Sequence, residues 1–316
     1  MALFFTEEDV TRLLTMDDAV SAVEDAFRQL GEGSAVNCPR ARVGLPGTML
    51  HVMPAGSAEW GLLGLKAYIA KRTGARFLFY LYDTSGQLQA VIEADRLGQM
   101  RTGAASGVAT RLMAREDAAT VGLFGTGWQA RSQLEAVARV RPLSRARVFG
   151  RDRERRRRFC EEMSESLGLD VQPAEVPEDI PVGADILITA TTSREPVLRG
   201  DWLRPGQHIN AIGANFAYKR EVDGGVVRRS SCIVVDSKEQ ALLECGDLIT
   251  PESEGELAWD NVSELGQLVC GKALGRRTDE DITLFESQGI AIEDVAVARR
   301  IVELGRERGV GEVLPF

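Results

Sequence analysis

Histidine is nearly absent: among 316 residues only His51 and His208 carry an imidazole. A histidine-rich metal centre is therefore not expected, and no G-x-S-x-G accompanies the two histidines to suggest a serine hydrolase. Five cysteines, Cys38, Cys160, Cys232, Cys245 and Cys270, form no C-x-x-C pair and are odd in number. Neither a disulfide framework nor a zinc cluster follows from them, and buried reduced thiols are the expectation. Positive charge is also short. With 38 Lys and Arg against 47 Asp and Glu, the net charge is -9, and no cationic face for a nucleic acid or a membrane surface is expected. No apolar run approaches the roughly 18 residues of a membrane span. The start "MALFFTEEDV" turns acidic at once and carries no leader signature, so a cytoplasmic location is expected.

What is present calls for two domains, because a single core stops growing at roughly 250–300 residues. Asp17 to Leu30 spaces Ala19, Val20, Val23, Ala26, Phe27 and Leu30 by three and four residues and ends on Gly31 and Gly33, which predicts an amphipathic helix. From Arg40 to Ala94 the pattern turns to short β-type runs: "RARVGL", "TMLHVMP", "GLKAYIA" and "ARFLFYLYD". The last of these joins "LQAVIEA" through "DTSGQ" as a hairpin. Met100 to Ala114 predicts a helix of small residues. Strands and helices then alternate: "TVGLF", a helix from Trp128 to Val140, "ARVFG", a helix from Asp152 to Leu167, then "DILITA", "HINAIG" and "CIVVD". Such alternation implies a parallel sheet with crossover helices. A last helix, Ile292 to Arg308, is free to return to the strand-rich first module. The arginine-dense "RDRERRRRF" reads as a solvated helix face.

Between strand and helix, Gly125, Gly127 and Ala130 satisfy G-x-G-x-x-G/A. The first glycine permits a tight turn, the second lets a pyrophosphate approach the backbone, and the small third residue keeps helix against strand. Amide groups at the helix start then face the phosphates. At the end of the next strand, Arg151 follows Gly150 and suits a 2′-phosphate, with Arg155 a turn later in support. Asp152 keeps NAD open, and NADP is the favoured cofactor.

Five segments together resemble one family: "GLKAY", "RTGAASGVATRLMA", "GLFGTGWQA", "TATTSREPVLRGDWLRPGQHINAIGANFAYKREVD" and "DITLFESQGIAIEDVAVA". In order and spacing they are similar to the ornithine cyclodeaminase and mu-crystallin family, from about Arg42 to the C-terminal helix. The resemblance implies an α/β protein in which a Rossmann-type doubly wound sheet, residues 117–289, is inserted into a discontinuous α+β domain for substrate binding and dimerisation, residues 1–116 plus 290–316. It implies a homodimer acting on a small amino or imino acid, with no metal. The expected reaction is NAD(P)-dependent hydride transfer at an α-carbon, as in reduction of a cyclic ketimine carboxylate of the pyrroline- or piperideine-2-carboxylate type, or in amino-acid dehydrogenation. Two alternatives belong to the same family: an NAD-dependent ornithine cyclodeaminase and a non-catalytic, NADPH-binding crystallin-like protein.

Arg42, Lys66 and Arg101 match the family's substrate-binding positions, where arginine forks and a lysine would hold a carboxylate. Lys66 lies inside the apolar run "LLGLKAYIA", where burial should depress its pKa and make it a proton donor. Asn215 stands where cyclodeaminases of the family carry an aspartate. An amide is no carboxylate base, which counts against ornithine as substrate, yet it can hydrogen-bond an imine or amine nitrogen. Lys66 and Asn215 are thus the catalytic candidates, and Asp223 is read as structural. On the cofactor side, Thr126 and Gln129 belong to the glycine turn, Thr191 and Thr192 of "TATTS" match the loop beside the adenosine and phosphates, and Ser287 matches the nicotinamide end. Trp128 is read either as core or as lining the cofactor, and His51 as a core residue of a strand in the first module, with reach into the pocket as the alternative.

Overall fold

The computed structural model describes residues 1–71 and 74–315. The chain divides into two compact units, Met1–Thr102 with Ile290–Phe316, and Gly103–Gly289. The boundary expected after residue 116 falls instead inside a helix. The second half of that helix is tied to the second unit by Arg141, whose Nη2 donates to the carbonyls of Thr110, Arg111 and Ala114 at 3.0 Å each.

The first unit opens with β1 (Leu3–Phe5), α1 (Glu7–Leu13) and α2 (Met16–Glu32). Each helix starts on a capping box, Thr6 with Asp9 and Thr15 with Asp18, which satisfies first-turn amides locally. Strands β2 (Ala35–Asn37), β3 (Ala41–Leu45), β4 (Thr48–Ser57), β5 (Leu62–Lys71), β6 (Gly74–Asp83) and β7 (Leu88–Glu93) follow, then α3 (Asp95–Met113). The sheet runs β1-β7-β6-β5-β4-β2, with β3 also pairing with β4. Along β4, His51, Met53, Ala55 and Ser57 are buried on one face, the period-two signature of a half-buried strand. Register places Arg42, His51, Tyr68 and Phe77 in one cross-strand row and Met53, Lys66 and Phe79 in the next.

The second unit is a parallel sheet of β8 (Thr120–Phe124), β9 (Arg145–Phe149), β10 (Asp170–Pro173), β11 (Ile186–Thr189), β12 (His208–Ala211), β13 (Cys232–Val235), β14 (Val262–Glu264) and β15 (Thr283–Glu286). Its order is β10-β9-β8-β11-β12-β15-β13-β14, with helices α4 (Trp128–Val140), α5 (Arg153–Leu167), α6 (Gly224–Arg229), α7 (Lys238–Glu244), α8 (Gly246–Ser253) and α9 (Leu265–Val269) between strands. Two apolar clusters cover its two faces. Val121, Leu123, Ile186 and Ile188 pack with α4 and α5, while Leu187, Ile209 and Val235 pack with α6, α7 and α8. Strand order reverses between β8 and β11, the switch point where ligands bind outside the carboxyl ends of such sheets.

The chain then returns to the first unit as α10 (Ala291–Arg308), which packs on β4, β5 and α2, and ends in β16 (Glu312–Val313) beside β1. Among the described residues no helix is long and apolar enough to cross a membrane.

Candidate active site

The first unit concentrates buried charge on the inner face of its sheet. Lys66, on β5, is 3% exposed, and its Nζ donates to Asp294 Oδ1 at 2.8 Å. Arg101, on α3, donates from Nε to the same oxygen at 3.2 Å and from Nη1 to Glu293 Oε2 at 2.8 Å. Both acids lie in the first turn of α10, where the helix dipole favours negative charge. The first amides of that helix, those of Ala291 and Ile292, donate to the side-chain oxygen of Asn37. Burial, reinforced by Arg101 and opposed by Asp294, pushes Lys66 down to about 8.

Of the arginines at the start of β3, Arg42 is half-buried and pairs across the sheet with His51. Arg40, which the sequence reading passed over, is buried, reaches Met53 Sδ with its Nε at 3.4 Å, and lies close enough to Lys66 to lower its pKa. Alternation gives both arginines the same face. His51 is buried and stacked on Tyr68, with ring centroids 4.4 Å apart. Burial and the two arginines push it down to about 4, so it adds no charge near neutrality. The structure thus brings Lys66 and Arg101 together on one carboxylate and adds Arg40 beside them.

In the second unit the turn after β8 depends on its two glycines in different ways. Gly125 has φ +114, and an ideal Cβ there would lie 2.3 Å from Ala190 O, so only glycine fits. At Gly127 a Cβ would meet no protein atom within 4 Å, so no packing contact excludes a side chain; the space is open. Gly127 also caps α4 without a side-chain hydrogen bond, and no acid lies in that helix's first turn. No side chain caps this helix start, where the dipole favours an anion, whereas α5 next door is capped by Asp152, which accepts from Arg155 N at 2.9 Å. These residues fit the diphosphate of a dinucleotide.

The other cofactor candidates have defined places. Thr126 is nearly buried, and its carbonyl accepts from Arg155 Nε at 3.3 Å. Gln129 is half-buried, Ala130 packs in the core, and Trp128 is 47% exposed, so it is not core. Arg151 is exposed beyond β9, while Arg156, inside the arginine run, is buried over the Phe149 ring with its Nη1 on Gly150 O. Thr192 is exposed, and Thr191 gives its N–H and hydroxyl to Glu221. Ser287 is buried and donates to Asp236 Oδ2 at 3.0 Å. Asn215, half-buried, accepts from Lys219 Nζ at 3.3 Å. Asp223 caps α6 by accepting from Val226 N, a structural task. His208 is fully buried between Thr283 and Asn210, and burial pushes it down to about 3.

Beneath these loops lies a set of buried acids that the sequence reading missed. Glu221 accepts from Thr189 Oγ1, from the N–H and hydroxyl of Thr191 and from Gly213 N, thereby tying the loop after β11 to the loop that carries Asn215. Asp247 accepts from the amides of Glu221 and Val222, and Cys245 donates its thiol to Glu286. Burial pushes Asp236 up to about 6 and Asp247 to about 7, and raises Glu221 and Glu286 as well. Loop acids have no periodicity that would reveal them. The pair Glu293–Asp294 did offer a signal: two acids inside the apolar run "GIAIEDVAVA", the same kind of anomaly that singled out Lys66.

A model of the ornithine cyclodeaminase/mu-crystallin family matches residues 2–308. The chain is 36% identical to a Delta(1)-pyrroline-2-carboxylate reductase of Bacillus cereus over 84% of each chain. The structure of the Thermococcus litoralis Delta(1)-pyrroline-2-carboxylate reductase, in complex with NADH and L-proline, superposes with a TM-score of 0.95 at 36% identity, covering 99% of this chain and 100% of that one. An archaeal alanine dehydrogenase dimer with bound NAD superposes with a TM-score of 0.93 at 33% identity, covering 100% of this chain and 99% of its own.

Proposed function

The chain belongs to the ornithine cyclodeaminase/mu-crystallin family and, with it, to the NAD(P)-dependent enzymes of imino and amino acids; from that premise we propose that it is an NADPH-linked reductase of a cyclic ketimine carboxylate. The observation that carries the substrate side is the convergence of Lys66 and Arg101 on Asp294 in a buried site. Two cations held from different elements form a fixed anion clamp, and fixing a carboxylate orients the adjacent C=N carbon. Bound nicotinamide would supply the hydride to that carbon. Lys66, still protonated at neutral pH, keeps the neighbouring nitrogen protonated, and the apolar side chains of Met53 and Phe79 in its row limit water.

Asn215 supports a substrate without a second amine. Its amide supplies no counter-charge, and the Lys219 ammonium beside it would repel the side-chain ammonium of ornithine. For the cofactor, the Asp152 carboxylate is spent on capping α5, while exposed Arg151 follows Gly150 at the end of β9. That arrangement favours a 2′-phosphate over a bare ribose.

We assign a homodimer as well, formed through the outward face of the first unit's sheet, where Val43, Leu45, Leu63 and Ile69 are exposed apolar residues. A measured mass of one chain would overturn that assignment. A reducing compartment, the cytoplasm, suits five cysteines of which none forms a disulfide among the described residues.

The test follows absorbance of the reduced nicotinamide with pyrroline-2-carboxylate, piperideine-2-carboxylate, pyruvate plus ammonia, and ornithine, each with NADPH or NADH (oxidised forms for ornithine). Oxidation of NADPH by a cyclic imine is expected, with loss of at least about a hundredfold in kcat/KM for Lys66→Ala and Arg101→Ala. Ammonia release from ornithine without imine reduction would overturn the reading, as would inertness towards every substrate.

A further inference from the structure

An anion-binding site has no obvious use for acids, yet Asp294 sits at the centre of this one. It is wholly buried, its Oδ1 is shared by Lys66 Nζ and Arg101 Nε, and its Oδ2 accepts no hydrogen bond among the described residues. A carboxylate placed there repels an incoming carboxylate and leaves one oxygen without a partner, a cost that calls for a return. The surroundings supply the reason. Facing Lys66 are Arg101 from α3, Asp294 and Glu293 from α10, Arg40 from the segment before β3, and His51 diagonally across on β4. Two of these are permanent cations, and His51 is neutral near pH 7. Glu293 is bonded to Arg101 Nη1, which leaves Asp294 as the acid in contact with Lys66.

We propose that Asp294 is a positioning residue that keeps Lys66 charged and aimed, and so sets the upper pH limit for capture of the substrate carboxylate. The inference rests on the carboxylate role assigned above to Lys66. Without Asp294, burial and the neighbouring guanidinium groups act on the ammonium unopposed, and the lysine sheds its proton at a lower pH. In the intact site, burial holds Lys66 near 8 and Asp294 stops it going lower. The shared oxygen also fixes the spacing of the two cations, since one atom receives both N–H donors.

Asp294→Asn removes the charge and preserves the shape. Its test is the affinity of the intact protein, loaded with oxidised NADP, for pyrrole-2-carboxylate, a planar carboxylate that cannot be reduced, measured by calorimetry across pH. In the natural protein affinity should be level up to about 8 and then fall. In Asp294→Asn the fall should begin at least about one pH unit lower, and binding at low pH should recover to within a few-fold of the natural protein. An unchanged break, with binding uniformly weaker or unaltered, overturns the proposal. Lys66→Ala distinguishes the two readings: undiminished pyrrole-2-carboxylate binding in that variant would overturn the carboxylate role itself. If Asp294→Asn does not fold, Lys66→Arg alone is measured, whose cation does not titrate. Level binding across pH is then expected, and a break that persists counts against the proposal.

Discussion

The two units bury charge by opposite means. In the first, Lys66 and Arg101 meet Glu293 and Asp294, so charge is balanced by charge. In the second, Glu221, Asp236, Asp247 and Glu286 are all acids, with no lysine or arginine at ion-pair distance among the described residues; backbone amides, hydroxyls and a thiol donate to them, while Asp247 Oδ2 and Glu286 Oε1 accept no hydrogen bond among those residues. Burial raises all four, Asp236 to about 6 and Asp247 to about 7, so proton uptake eases the cost of burying them. The difference fits the tasks proposed. A unit that captures an anion must keep cations charged in a dry place, whereas one that shapes loops around a dinucleotide needs acceptors that tie strand ends together. Ion pairs serve the first task and hydrogen-bonded acids the second.

Breaking the ionic cluster should cost most. Arg101→Ala removes the cation that Glu293 and Asp294 share and leaves Lys66 alone on Asp294, and a destabilisation of about 3–5 kcal/mol is expected in urea unfolding at neutral pH. Glu221→Gln strikes the acidic side. Four donors converge on that carboxylate, and a glutamine offers one acceptor oxygen in place of two, so about 1–3 kcal/mol should be lost, together with weaker NADPH binding in a fluorescence titration.

Asp247→Asn sharpens the comparison through pH. The folded pKa of Asp247 lies near 7, above the 3.8 of the free side chain, so the folded state holds the extra proton. The stability this confers is present at low pH and lost as pH rises through about 7. Thermal unfolding of the variant should show a flatter dependence between those limits, by up to about 1.4 kcal/mol per pH unit. A matching slope in the natural protein and the variant would remove Asp247 from the account. The smallest effect on the fold belongs to exposed Arg151. Its change to Ala should leave the unfolding midpoint unmoved while raising KM for NADPH about tenfold and leaving NADH unaffected. Equal losses for both cofactors would put the cofactor preference elsewhere.

Several parts of this arrangement can be read along the chain. Strand β8, the glycine turn and α4 follow from a short apolar run, two glycines and a helical repeat, and Lys66 stands out as a charge inside an apolar strand. Helix α3 starts at Asp95 rather than Met100; charged Asp95 and Arg96 mask the buried Leu97 that anchors its first turn. Strand β15 has only a weak local signal: "TLFE" is four residues long, and it enters the sheet between β12 and β13 although both precede it in sequence. Arg40 and Arg42 share a face by alternation. Which of them approaches Lys66 depends on the register of β4 against β5, which places Met53 beside the lysine.

What the sequence by itself determined is therefore local: the capping boxes, the alternation of β4, the positive-φ turn at Gly125 and the start of α4 without a side-chain cap. Each depends on interactions within a few residues, and these form in nearly the same way wherever the segment lies. Tertiary structure alone decided which charges meet and which hold protons. Lys66 and Asp294 are 228 positions apart, and a buried group's pKa is set by whatever distant segment the fold brings against it.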